Sequence, residues 1–208
     1  KTKEVIYGLD SLLTIIGHSM PWIKTIGQSK PIHYLLTKLY KFISYNRKVI
    51  ISKPIGDNAV SCIPDFNQTY RWLYIVFATV VSTLVLQAYS KLLPNIVSPN
   101  NYLLEFLMCG GQIVFQGLIL LLFVKDKMLG YIGNMITVSL IGSLLLIPIL
   151  LASIIAVPGT IFLISYFLLV VGFMILQHQE RVRNLQLPTY LTLTWILYRL
   201  IWIPILIL

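Results

Sequence analysis

The sequence predicts a mostly α protein: a five-span transmembrane helical bundle preceded by a helical segment at its N-terminus. Two observations carry this reading. Of 208 residues, 57% are hydrophobic and only 11% are charged, against about 45–50% and about 25% for an ordinary soluble domain. The charges are also unevenly placed, since residues 1–71 hold 14 of the 23 and the 137 residues from Trp72 to Leu208 hold nine. So little charge excludes a free cytosolic protein. Two cysteines and 12 glycines supply neither a disulfide scaffold nor a collagen-like repeat.

The chain opens with Lys1 rather than methionine, so a segment upstream is expected. Its first apolar stretch, Val5–Ile16, carries Asp10 and lacks the small-residue cleavage site of a signal peptide. A helix is expected over Gly8–Ile16 with Gly17 as its stop, then a shorter turn from Pro21 to near Gly27. The clearest pattern is Ile32–Asn46, with Leu35, Leu36, Leu39, Phe42 and Ile43 on one face, Lys38, Lys41 and Ser44 toward the other, and Pro31 just ahead. Three such faces within residues 1–56 are too little for an independent core and read as part of a domain. Residues 57–69, with Pro64 and Asn67, read as a linker. The run Cys62–Asn67 inside it is unusual and matches no chemistry.

Residues 70–208 form the membrane domain. A bilayer core about 30 Å thick needs roughly 20 helical residues at 1.5 Å each. Five apolar runs approach this: Tyr70–Leu92, Tyr102–Val124, Leu129–Ala156, Ile161–Gln177 and Pro188–Leu208. Lysine and arginine gather on the cytoplasmic side of short loops. Nine of the 16 basic residues lie between Lys1 and Lys53, Lys125 and Lys127 follow the second run, and Arg181 and Arg183 follow the fourth. The alternate connections carry Lys91 or nothing. The N-terminus is therefore expected inside and Leu208 outside, as in a bacterial inner membrane protein. The formal charge of +9 suits topology and anionic headgroups, so the lipid bilayer is the expected partner and nucleic acid is not.

Arg199 lies 11 residues into the last run, near the bilayer midplane, where a charge is costly and usually faces protein or water. Gln112 and Gln116 of the second run fall at similar depth and could accept its hydrogen bonds. Glu105 lies nearer the outer surface, roughly 10 Å from Gln112 along the axis. These four form a candidate intramembrane polar cluster, read as a polar pathway or ligand site, a structural clamp or a contact to another subunit. Pro148 is expected to disturb the third run. Gly110-Gly111, Gly117, Ser139/Ser143 and Ala152/Ala156 offer small surfaces for helix contact. Cys62 and Cys109 are 47 positions apart, the first ahead of the first span on the cytoplasmic side and the second inside the second span nearer the outer face, so no disulfide between them is expected. His18, His33 and His178 are scattered, with no zinc-ligand spacing, and no cofactor is expected.

One resemblance is specific in pattern. Tyr7-Gly8-Leu9-Asp10-Ser11-Leu12-Leu13, then Pro21-Trp22 and Pro31, then Leu39-Tyr40-Lys41-Phe42-Ile43-Ser44-Tyr45-Asn46-Arg47 resembles the C-terminal half of the DCC family of thiol-disulfide oxidoreductase-like proteins. The match covers about residues 5–50. It implies that the N-terminal segment is part of a thioredoxin-like fold. The family's Asp-x-x-Cys-x-x-Cys motif, in which one thiolate attacks and the second cysteine resolves, would lie upstream of Lys1, so the resemblance places no catalytic residue on this chain.

Three functional readings follow. The first is an integral membrane accessory or structural subunit whose truncated, non-catalytic thioredoxin-like segment docks, on the cytoplasmic side, against a partner subunit or the membrane surface. The second is a membrane-anchored DCC-type oxidoreductase with its Cys-x-x-Cys upstream. The third is a small transporter or channel component using Arg199.

Overall fold

A computed structural model describes residues 8–52, 66–94, 96–97 and 102–207. The described residues are mostly helical and include no strand. The N-terminal segment folds as α1 (Leu9–Ser19), α2 (Pro21–Gly27) and α3 (Lys30–Ile50). Pro21 and Pro31 sit in the first turns of α2 and α3, where a missing N–H costs nothing.

Two boundaries in this N-terminal segment differ from the sequence reading. Helix α1 runs through Gly17 to Ser19. Gly17 serves a close approach instead of a stop, because a Cβ there would lie 2.8 Å from Lys24 Cδ of α2. Helix α3 continues past Asn46-Arg47 to Ile50. Its Asn46 is fully buried and donates to Phe42 O at 2.9 Å and to Tyr70 O at 3.0 Å.

The rest of the chain forms α4 (Gln68–Ser90), α5 (Tyr102–Phe123), α6 (Met128–Ser153), α7 (Thr160–Asn184) and α8 (Tyr190–Ile207). Among the described residues, four helical stretches are long and apolar enough to cross a membrane: Gln68–Ser90, Leu103–Leu122, Lys125–Ser153 and Thr160–Asn184. Asn67, the last residue of the noted Cys62–Asn67 run, caps α4 by accepting from Tyr70 N at 3.1 Å. Cys62 itself lies outside the described residues.

Helix α6 is the centre of the bundle. Residues 131–139 are all buried, with α4, α5, α7 and α3 packed around them. One core cluster joins Tyr74, Ile75, Leu120, Ile136, Leu191 and Trp195 around α6, and a second joins Tyr89, Leu146, Leu163 and Val170 toward the other end. Some small-residue positions are used as expected: Ser139 and Ser143 are buried, and Gly111 lies directly under Tyr198 of α8. Ala152 and Ala156 are exposed. Pro148 lies inside α6, where it leaves the Leu144 carbonyl without its helical donor. One residue along, the Leu145 carbonyl accepts 2.7 Å from Tyr166 Oη.

Helix α7 ends at Asn184, two turns beyond the expected Gln177. Arg181 and Arg183 therefore belong to its last turns and not to a connection. The end closes with Gln186 at φ 52° and a Leu187 N–H bond to Val182 O. Lys127, from the α5–α6 connection, donates to Leu185 O at 3.0 Å, complementing the negative end of α7.

Candidate functional site

Where α5 and α7 end and α6 and α8 begin, four helices share one polar network. Tyr131 of α6 is 1% exposed, and its hydroxyl lies 3.3 Å from Gln116 Oε1 and 3.1 Å from His178 Nε2. His178 Nδ1 lies 3.1 Å from Thr192 Oγ1, while Gln116 Nε2 donates to Thr194 Oγ1 at 3.1 Å. One assignment satisfies every member: Thr192 donates to Nδ1, the Nε2–H donates to Tyr131, Tyr131 donates to Gln116 Oε1, and Thr194 donates to Leu191 O at 3.1 Å. The chain leaves α8 at Thr192, crosses α7, α6 and α5, and returns to α8 at Thr194. The His178 ring also stacks on Trp195, centroids 5.0 Å apart at 20°.

Buried polar groups cost about 1–3 kcal/mol each when orphaned. Tyr131→Phe is therefore expected to destabilise by roughly that amount, since it strands His178 Nε2. Adding His178→Leu should recover part of the loss, because both partners are then apolar. Thermal melts of the two single variants and the double variant in one detergent measure the coupling; strictly additive losses would show that the contact contributes nothing.

A second cluster fixes α3 to the bundle. Arg181 of α7 is buried and donates from Nη1 to Val49 O and to Asn134 Oδ1 at 2.9 Å, and from Nη2 to Ile50 O at 3.1 Å. Two of these acceptors are terminal carbonyls of α3, so a guanidinium meets the negative end of a helix. Asn184 Nδ2 reaches Ser52 Oγ at 3.3 Å. Arg71 of α4 is 3% exposed; its Nε and Nη1 lack hydrogen-bond partners, and its guanidinium stands 5.5 Å from the Phe66 ring centroid.

The four residues singled out from sequence all lie along the facing helices α5 and α8, but they are not joined as expected. Gln112 donates to Trp195 O at 3.1 Å, with Oε1 left unpartnered. Gln116 belongs to the Tyr131 network. Arg199 makes no hydrogen bond to either glutamine. Its guanidinium stands 5.8 Å from the ring centroid of Trp195, one turn earlier on α8, and its Nε is buried without a partner. Glu105 is buried and lies within electrostatic range of Arg199, without an ion-pair contact. Counting residues at 1.5 Å each gave an expected depth along the axes. It could not say which way each would turn, and Thr194 and Tyr131 satisfy Gln116 before Arg199 can.

The sequence reading missed Tyr131, His178, Thr192 and Thr194 as a unit and treated Arg181 as a loop charge. The available signal was periodicity: His178 and Arg181 are three apart near the end of an apolar run, hence on one helix face. Among the described residues, no three His, Cys, Asp or Glu side chains are grouped to hold a metal ion. Cys109 is a buried free thiol. No protein-family model, no curated protein and no solved structure matches the chain.

Proposed function

We propose that the protein is an integral membrane accessory or structural subunit, with a non-catalytic N-terminal helical platform held at the cytoplasmic interface. The carrying observation is the Arg181 clamp, which fixes the end of α3 to the bundle while Leu35, Leu39 and Ile43 on α3, Ile15 on α1 and Trp22 on α2 stay exposed. A platform so held, with apolar residues turned outward, suits docking to a membrane surface or a partner subunit.

The five-span arrangement is part of this reading. Helix α8 has 18 residues, about 27 Å of helix, and exposes Leu193, Leu197, Leu200 and Ile201, as a lipid-facing span would. The basic residues Lys125, Lys127, Arg181 and Arg183 support the N-terminus inside and the C-terminus outside, in a bacterial inner membrane. The DCC resemblance of residues 5–50 enters only as scaffold, and an oxidoreductase would take its thiol pair from beyond these 208 residues. Purification in mild detergent should yield a stoichiometric complex; a solitary monomer under those conditions would overturn the subunit reading.

The buried Glu105 and the unpartnered Arg199 Nε favour a second reading, a small transporter or channel component. It requires that Arg199→Leu abolish proton or chloride flux into dye-loaded proteoliposomes while the helical circular dichroism is unchanged. Equal flux in both proteins would remove it.

A further inference from the structure

Helices α3 and α4, in contact where Asn46 meets Tyr70 and where Phe42 meets Phe77, leave a groove of about 510 Å³ between them. Leu35, Leu39 and Phe42 line it from α3, and Tyr70 and Leu73 from α4; Lys38 stands at its polar edge with Thr69. We propose that this groove holds one anionic glycerophospholipid, with an acyl chain against Leu39, Phe42 and Leu73 and its phosphate at Lys38.

Three observations select this occupant. The groove is continuous with the outer face of α4: Phe42 packs edge-on against Phe77 at 5.8 Å, and Leu73 and Phe77 are both half exposed on a helix long and apolar enough to span a bilayer. The charge is complementary, since residues 8–52 carry Lys24, Lys30, Lys38, Lys41, Arg47 and Lys48 against the single acid Asp10. Lys38 is also held at the rim, its Nζ 5.3 Å from the Tyr34 ring centroid. An extended peptide at this depth would bring backbone groups that hydrocarbon cannot satisfy, whereas an acyl chain brings none.

The inference rests on the interfacial placement of α3 given above, so the test separates the two. The full chain is reconstituted in nanodiscs of phosphatidylcholine or phosphatidylglycerol, extracted in mild detergent, and its retained lipid read by native mass spectrometry. One phosphatidylglycerol per chain is expected, preferred over phosphatidylcholine on the order of fivefold for a single lysine. Lys38→Gln should erase the preference, Leu39→Glu should abolish retention, and Lys125→Gln on the α5–α6 turn should change neither. Equal retention of both lipids, no retained lipid, or a mass showing a second copy of the chain would each overturn the proposal. Should Leu39→Glu lose its helical circular dichroism, Lys38→Gln alone decides. In a Cys62→Ser background, Ile43→Cys is challenged with a membrane-impermeant maleimide in the same discs. Labelling as fast as Lys125→Cys would sink the interfacial platform itself, whereas protection without retained lipid would sink only the lipid site.

Discussion

Arg181→Met is expected to detach α3 from the bundle and to cost about 3–5 kcal/mol, because it leaves three buried carbonyl oxygens without their donor at about 1–3 kcal/mol each, offset in part by the loss of a buried charge. The substitution keeps most of the side-chain volume and apolar stem but removes every donor. Val49 O and Ile50 O at the end of α3, and Asn134 Oδ1 on α6, lose the guanidinium together. Val49, buried against the α6 core, is held there by the same contact. At roughly 2–4 °C per kcal/mol for a chain of this size, the melting temperature in detergent should fall by about 10 °C. Protease cleavage between α3 and α4 should accelerate before the spans melt. Arg181→Lys keeps the charge but not the fork that serves carbonyls on two residues at once, so it should recover only part of the loss. A drop below about 2 °C for Arg181→Met would mean that α3 is held by packing alone.

The second large effect is expected at Gly133. A Cβ there would meet Arg71 Nη1 at 2.5 Å, Val49 Cγ1 at 3.0 Å and Arg71 Cδ at 3.1 Å. Arg71 is almost fully buried and cannot simply swing into water, so even Gly133→Ala should cost about 1–3 kcal/mol through overpacking. Gly133→Leu should prevent α3 and α4 from closing on α6 together, and the variant should aggregate on extraction. Gly130, one turn earlier on the same helix, has nothing within 4 Å of the corresponding position. Gly130→Ala should stabilise by about 0.5–1 kcal/mol, the helix-propensity difference alone. Equal melting temperatures for Gly133→Ala and Gly130→Ala would refute the close approach.

Much of the helical layout was legible because apolar run length is a local property. The runs Tyr70–Leu92, Tyr102–Val124 and Leu129–Ala156 lie within three residues of α4, α5 and α6 at both ends. The errors fall where tertiary contacts override local signals. Gln177 looked like the end of a span because His178, Glu180, Arg181 and Arg183 follow it. The helix continues because His178 finds Tyr131 and Thr192 and Arg181 finds the end of α3, 131 residues away in sequence. The amphipathic pattern of α3 likewise ran out at Asn46. The partner of Asn46 is the Tyr70 carbonyl, which no local pattern reveals. Gly17 carried a stop signal that close packing on Lys24 used differently.

The candidate polar cluster divides along the same line. Depth along a helix follows from counting residues at 1.5 Å each, and counting put Gln112, Gln116 and Arg199 on facing stretches of α5 and α8. Direction around the axis depends on which neighbour arrives, and there Thr194, Tyr131 and Trp195 took the contacts assigned to Arg199.

By itself, the sequence determined that most of the chain is long apolar helix, where those helices lie, and that the basic residues crowd its N-terminal third. Those properties depend on composition and run length, which fix hydration cost residue by residue. Only the tertiary structure decided that α6 is the hub, that Tyr131 and His178 tie four helices together, and that Arg181 holds α3. A hydrogen bond between distant residues takes its energy from the burial of both ends, and that burial exists only once the helices have packed.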